Sequence, residues 1–93
     1  MPGKVTVYIS NLTSNSETRK QQTRIQDVLS GAKIDFITVD VSANKEDLVK
    51  MRDIVGKDTA LAPQITNGDV YCGNYEAFEE AVESKTLKEF LKL

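Results

Sequence analysis

Ala62-Pro63-Gln64-Ile65-Thr66-Asn67-Gly68-Asp69-Val70-Tyr71-Cys72-Gly73-Asn74-Tyr75 reads as two short strands folded back on each other. Pro63-Gln64-Ile65-Thr66 forms one strand and Asp69-Val70-Tyr71-Cys72 the other. Asn67-Gly68 between them is the strongest short-range hairpin signal, because both residues tolerate positive φ. Pro63 opens its strand, where a missing N–H is harmless. Gly73 closes the second strand, and Asn74 offers a cap for a helix that follows.

Upstream of the hairpin the pattern is different. Lys4 to Ser10 carries Val5-Thr6-Val7-Tyr8-Ile9, rich in strand formers. Ser14 and Glu17 have capping-box spacing and predict a helix starting near Ser14. Its first half (Arg19, Lys20, Gln21, Gln22, Arg24) is polar, whereas Ile25, Val28 and Leu29 form a core stripe. Gly31 is the natural stop. Ile34 to Val41 predicts a second strand. Asn44 then caps a second helix with core face Leu48, Met51, Ile54 and Val55, ended by Gly56. Strand, helix, strand and helix in that order imply a right-handed crossover joining parallel strands.

Downstream, the helix capped by Asn74 carries Phe78, Ala81 and Val82. Thr86 and Glu89 form a second capping-box pair, opening a last helix with Leu87, Phe90 and Leu91. The reading is an α/β fold of order βαβα-ββα-α.

Ninety-three residues suit one compact domain over 1–93, with no repeat or linker. The net charge of −2 leaves no basic footprint, so nucleic acid is not expected as a partner. One cysteine and no histidine exclude an internal disulfide, a cysteine-built zinc site and an imidazole base. No metal is expected. No apolar run approaches the roughly 20 residues of a membrane span, so no membrane partner is expected. Met1-Pro2-Gly3-Lys4 has no signal-peptide core. The chain therefore reads as cytosolic, and small enough to diffuse into the nucleus. On that reading Asn11-Leu12-Thr13 is a chance match to a glycosylation sequon.

The element order, with a proline opening the third strand and a glycine after the fourth, resembles the glutaredoxin variant of the thioredoxin fold. Ala62 to Tyr75 is similar to the glutaredoxin stretch around its cis-proline and glycine pair. It is more similar still to the SH3 domain-binding glutamic acid-rich-like protein family. Asn67-Gly68-Asp69, Tyr71-Cys72-Gly73, Tyr75-Glu76 and Leu87 to Leu93 carry that resemblance, with Gln21-Gln22 and Val39-Asp40. It implies a four-stranded mixed sheet flanked by helices and a cis Ala62–Pro63 peptide. It also implies a glutaredoxin-like protein without the redox motif, one that modulates thiol-redox partners and binds proteins. Two departures stand out: longer relatives carry an acidic tail, whereas this chain stops at Leu93. Pro63 is the only proline beyond Pro2, so there is no PxxP segment, which puts SH3 binding in doubt.

In an active relative the loop after the first strand carries the nucleophilic cysteine, activated by the helix N-terminus. Here Ser10, Asn11, Leu12 and Thr13 occupy it, and no base is present to activate a hydroxyl. Its free amides are expected to favour an anion. The resemblance implies a former glutathione groove formed by this loop with Ala62, Pro63, Gln64, Gly73 and Asn74. Cys72 replaces the first glycine of the pair and Tyr75 stands where an Asp would anchor glutathione. Glutathione binding is therefore expected to be weak or absent, and no cofactor is expected.

Cys72 is a candidate redox handle, placed at the end of an inner strand where Asp69 and Glu76 disfavour a thiolate. Arg19, Lys20 and Arg24, and Glu76, Glu79, Glu80 and Glu83, read as solvated faces, with steering of a protein partner as the other use. The expectation is a redox-inactive adaptor or regulatory protein, monomeric, that binds proteins through the groove. The alternatives are a weak glutathione-dependent oxidoreductase using Cys72, and a small scaffold binding partners through its charged helices.

Overall fold

The computed structural model describes residues 4–93. Met1, Pro2 and Gly3, read above as lacking a signal-peptide core, lie outside the described residues. Four strands, β1 (Val5–Ile9), β2 (Phe36–Asp40), β3 (Gln64–Asn67) and β4 (Val70–Asn74), make one sheet ordered β2-β1-β3-β4. β1 pairs in parallel with β2 and antiparallel with β3, with Val7 opposite Thr38 and Ile65. The helices are α1 (Ser16–Gly31), α2 (Lys45–Val55), α3 (Tyr75–Glu83) and α4 (Leu87–Phe90). The βαβα-ββα-α order and the mixed sheet are as the sequence predicts.

β1 is buried along its whole length, which is why it is uniformly apolar except for Thr6. Val5, Val7 and Ile9 cluster with Ile25 and Leu29 of α1, Ile65, Phe78 of α3, and Leu91. Tyr8 joins Val41, Met51 of α2 and Ala60 in the second cluster. Alternate residues of one strand thus feed two cores, as a two-residue side-chain period requires. The Ala62–Pro63 peptide is cis.

Local details differ from the sequence expectations for identifiable reasons. The hairpin turn is Gly68-Asp69, not Asn67-Gly68: Asn67 pairs with Val70 as the last residue of β3. Only Gly68 of the turn pair takes positive φ (61°), the signature of a type II′ turn. Asn67 is fully buried because its Nδ2 donates to the Leu91 carbonyl at 2.7 Å, tying α4 to the sheet. Cys72 lies on β4, an edge strand and not an inner one.

α1 is capped by Asn15, not Ser14. The Asn15 Oδ1 accepts from the Glu17 and Thr18 amides at 2.9 and 3.2 Å. Gly31 falls inside α1, and the chain turns at Lys33 (φ 59°). There the Ile34 amide donates to the Leu29 carbonyl and the Lys33 amide to Ser30, a Schellman closure. Ile34 is consumed by that closure, so β2 starts only at Phe36. Thr86 makes no side-chain cap. Its N–H already donates to the Ala81 carbonyl at 2.9 Å, closing α3, and so is not left to donate to the Glu89 side chain.

Candidate functional site

The loop from Ser10 to Asn15 is held by four hydrogen bonds, three of them to Gln22 and Asp40 and one within the loop. The Ser10 N–H donates to Gln22 Oε1 at 2.8 Å, and Gln22 Nε2 donates back to the Ser10 carbonyl at 3.3 Å. The Asn11 N–H donates to Asp40 Oδ1 at 3.2 Å, and the Asn15 N–H to Thr13 Oγ1 at 3.2 Å. Asp40 also accepts from the Ser42 amide and hydroxyl. The Ser42 hydroxyl, together with the Asn11 and Ser42 amides, holds the Asp40 carboxyl below its ordinary pKa. The α1 amides expected to attract an anion are thus partly used: Asn15 already takes those of Glu17 and Thr18.

Facing this loop, Leu61 and Ala62 form a ridge between two clefts. One cleft, about 390 Å³, is lined by Pro63, Gln64, Tyr71, Asn74 and Tyr75 along with Gln21. The other, about 450 Å³, is lined by Ser10, Thr13, Thr18, Ser42 and Arg52 over an apolar floor of Val41 and Leu48. The ridge is pinned from both sides. Gln64 Nε2 donates to the Leu61 carbonyl at 2.8 Å, and the Tyr71 hydroxyl donates to Gln64 Oε1 at 2.7 Å. Burial, and secondarily the neighbouring Cys72, push the Tyr71 hydroxyl pKa up, so it remains a donor. Across the ridge, Arg52 Nε donates to the Ala60 carbonyl at 3.1 Å. Between these anchors the half-buried Ala62 makes no hydrogen bond among the described residues.

The structure therefore brings Ser10, Thr13, Ala62, Pro63, Gln64 and Asn74 to these two clefts. Asn11 and Leu12 line neither; the Asn11 amide is held by Asp40, and Leu12 projects into solvent, 81% exposed. Asn74 caps α3 through a bond from the Ala77 amide at 3.0 Å. Gly73 is buried beneath α3 and α4: a Cβ there would meet Phe90 Cε1 at 2.7 Å and the Ala77 Cβ at 3.0 Å. Its missing side chain serves packing.

Cys72 also lines neither cleft. It is half-buried against the larger core. Burial pushes its thiol pKa up and Lys92 opposes the shift; the expected influence of Asp69 and Glu76 is not the cause. The charged faces meet each other in part, since Arg24 Nε of α1 lies 3.1 Å from Glu79 Oε1 of α3. Among the described residues no group of three His, Cys, Asp or Glu side chains is placed to hold a metal ion.

Sequence reasoning missed Gln22, Asp40, Arg52 and Tyr71. Gln22 had a signal: with Ile25 and Leu29 it occupies i, i+3 and i+7 of the buried stripe. Asp40-Val41-Ser42 had one too, as an Asp whose side chain binds the backbone two residues on. Tyr71 and Arg52 had none, because their partners lie at distances in sequence that no local pattern encodes.

Residues 3–93 match the family model described as SH3-binding, glutamic acid-rich protein. The SH3 domain-binding glutamic acid-rich protein homolog of Drosophila melanogaster is 34% identical over 99 residues, covering 94% of this chain. The chain spans 63% of that relative's length. Among solved structures, the C. albicans actin interacting protein Aip5 superposes with a TM-score of 0.79 at 24% identity, covering 95% of this chain and 87% of Aip5. The holo form of glutaredoxin C1 from Populus tremula x tremuloides gives 0.70 at 14% identity, covering 97% and 84%. These likenesses show a glutaredoxin-like, thioredoxin-type α/β fold.

Proposed function

Because the chain belongs to the SH3-binding, glutamic acid-rich protein family, named for binding and not for catalysis, we propose that it is a redox-inactive adaptor that holds extended segments of partner proteins. Ala62 carries this reading. Its main-chain N–H and C=O have no partner among the described residues, they sit on a ridge with a cleft on either side, and the opposing loop holds no thiol. An extended segment pairs its own backbone with such groups and places alternate side chains in the flanking clefts. Binding proceeds without chemistry and without a cofactor, because oxygen forms no disulfide and the one carboxylate that meets a cleft hydroxyl, Asp40 at Ser42, is held below its ordinary pKa and so is a poor base. The protein acts as a monomer in the cytosol, with access to the nucleus. Aip5, named for interacting with actin, supports a protein-binding use of this frame.

The rival reading, an oxidoreductase using Cys72, is poorly served by a thiol outside both clefts and less acidic than normal. A disulfide-reduction assay with glutathione should show no turnover above a Cys72→Ser control. Amide chemical-shift mapping with capped extended tetrapeptides should move Ser10, Ala62 and Gln64. Shifts confined to α3 and α4 would reject the groove.

A further inference from the structure

The second cleft has a definite charge character. Of the side chains lining it, Arg52 alone is charged. Lys4, Arg24 and Lys50 each lie within 4.0 Å of a carboxylate, whereas Arg52 has no such partner among the described residues. Its Nε is fixed on the Ala60 carbonyl, so the rest of the guanidinium is held in place before any ligand arrives. Ser10, Thr13 and Ser42 line the same space, the Thr13 hydroxyl accepting from the Asn15 amide and the Ser42 hydroxyl donating to Asp40. Asp40, which is not among the lining residues, accepts from the Asn11 amide and from the Ser42 amide and hydroxyl, all on Oδ1. The other cleft differs, since Lys57 and Glu76 both line it and give no single sign.

The ridge side of the cleft is apolar, with Leu61 71% exposed there. An exposed leucine does nothing for a small free anion, but it suits a chain that carries an apolar side chain beside its charge. We propose that this cleft is a subsite for an acidic segment of a partner protein, with an Asp or Glu side chain seated on Arg52 and a neighbouring apolar residue packed against Leu61. Arg is suited to this because its planar fork meets a carboxylate with two parallel hydrogen bonds. The assignment rests on main-chain capture at Ala62, which sets the segment's register between the clefts.

The test is an amide-shift titration of the full chain with two capped peptides, Ac-Gly-Leu-Asp-Gly-NH2 and Ac-Gly-Leu-Asn-Gly-NH2. Both should move the Ala62 amide. The Asp peptide should bind about threefold or more tightly, and should also shift the Arg52 Nε–H. That preference should vanish in R52Q, weaken in R52K, which keeps the charge but loses the fork, and fade at about 1 M salt, where the screening length is about 3 Å. Equal affinity of the two peptides for the wild-type chain overturns the Arg52 subsite and leaves main-chain capture standing. If neither peptide moves Ala62, both readings fall. Reduced glutathione binding about tenfold more tightly than the Asp peptide overturns the assignment to a protein segment.

Discussion

Ser10 and Gln22 exchange two hydrogen bonds, N–H to Oε1 at 2.8 Å and Nε2 to C=O at 3.3 Å, so one side-chain amide plays the part of a neighbouring strand. β1 ends at Ile9, and Ser10 is the first residue whose backbone has left the sheet. Gln22, 5% exposed on the inner stripe of α1, restores the lost pairing. The loop is thereby fixed to the helix it precedes. That places Ser10 and Thr13 across from Ala62.

Replacing Gln22 by Leu keeps the volume and removes both partners of Ser10. A buried polar group left unpaired costs about 1–3 kcal/mol, and a loss of that size in urea unfolding is expected. Ser10 and Asn11 amides should exchange with solvent faster in the same variant. Unchanged stability would mean that water replaces Gln22 without loss.

Gly73→Ala should destabilise by about 1–3 kcal/mol, because its Cβ would stand 2.7 Å from a Phe90 ring carbon and 3.0 Å from the Ala77 Cβ. The ring cannot retreat freely: it meets Phe78 edge-on, with centroids 6.2 Å apart. In a Phe90→Leu background the same substitution should cost less, and a double-mutant cycle measures the difference. Additive costs would place the strain elsewhere.

Most of the fold was legible because it is written in local periodicity. Val5 to Ile9, the Ile25–Leu29 stripe, and Asn44 with Gly56 each mark their element without help from the rest of the chain. What escaped depended on competition between neighbours. Ser14 and Asn15 both cap well, and only the loop fixed by Thr13 decides for Asn15. Asn67 and Asp69 both suit a turn around Gly68, and the bonds from Asn67 to the Leu91 and Lys92 carbonyls draw it into the strand. The candidate site was half legible for the same reason. Ala62, Pro63 and Gln64 stand out in the sequence, whereas Arg52 and Tyr71 reach the ridge only through the tertiary fold.

Three lysines, Lys33, Lys85 and Lys92, hold the left-handed conformation (φ 59°, 59° and 60°). At Lys33 and Lys85 the backbone bonds close α1 and α3. A side chain there costs about 1–2 kcal/mol relative to glycine, partly offset by a cation's favourable place at a helix C-terminus. Lys33→Gly and Lys85→Gly should each raise stability by about 0.5–1 kcal/mol, read as a higher melting temperature. A lowered melting temperature would show that the charge outweighs the backbone.

Asp40 gives the loop an acid limit. Its folded pKa lies below the ordinary 3.8, first because of the Ser42 hydroxyl and then the Asn11 and Ser42 amides. A depressed carboxyl contributes stability that is fully present above 3.8 and is lost as pH falls through the lower folded value. Asn11 and Ser42 amide shifts should titrate together below pH 3.8. Asp40→Asn should remove that step and make the acid limb of stability shallower. A step that persists in the variant would assign it to another carboxyl.

Cys72 should be a slow nucleophile. The thiolate is the reactive form, and burial shifts the thiol above its ordinary 9.0 while Lys92 pulls the other way. At neutral pH, iodoacetamide should therefore label the native chain more slowly than an exposed peptide cysteine. The rate should still be rising with pH above 9.0. Lys92→Gln removes the one opposing charge and should slow labelling further, while denaturant should abolish the difference from the peptide. Labelling of the native chain at neutral pH as fast as the exposed peptide would contradict the buried, weakly acidic thiol. It would also return the enzyme reading to contention.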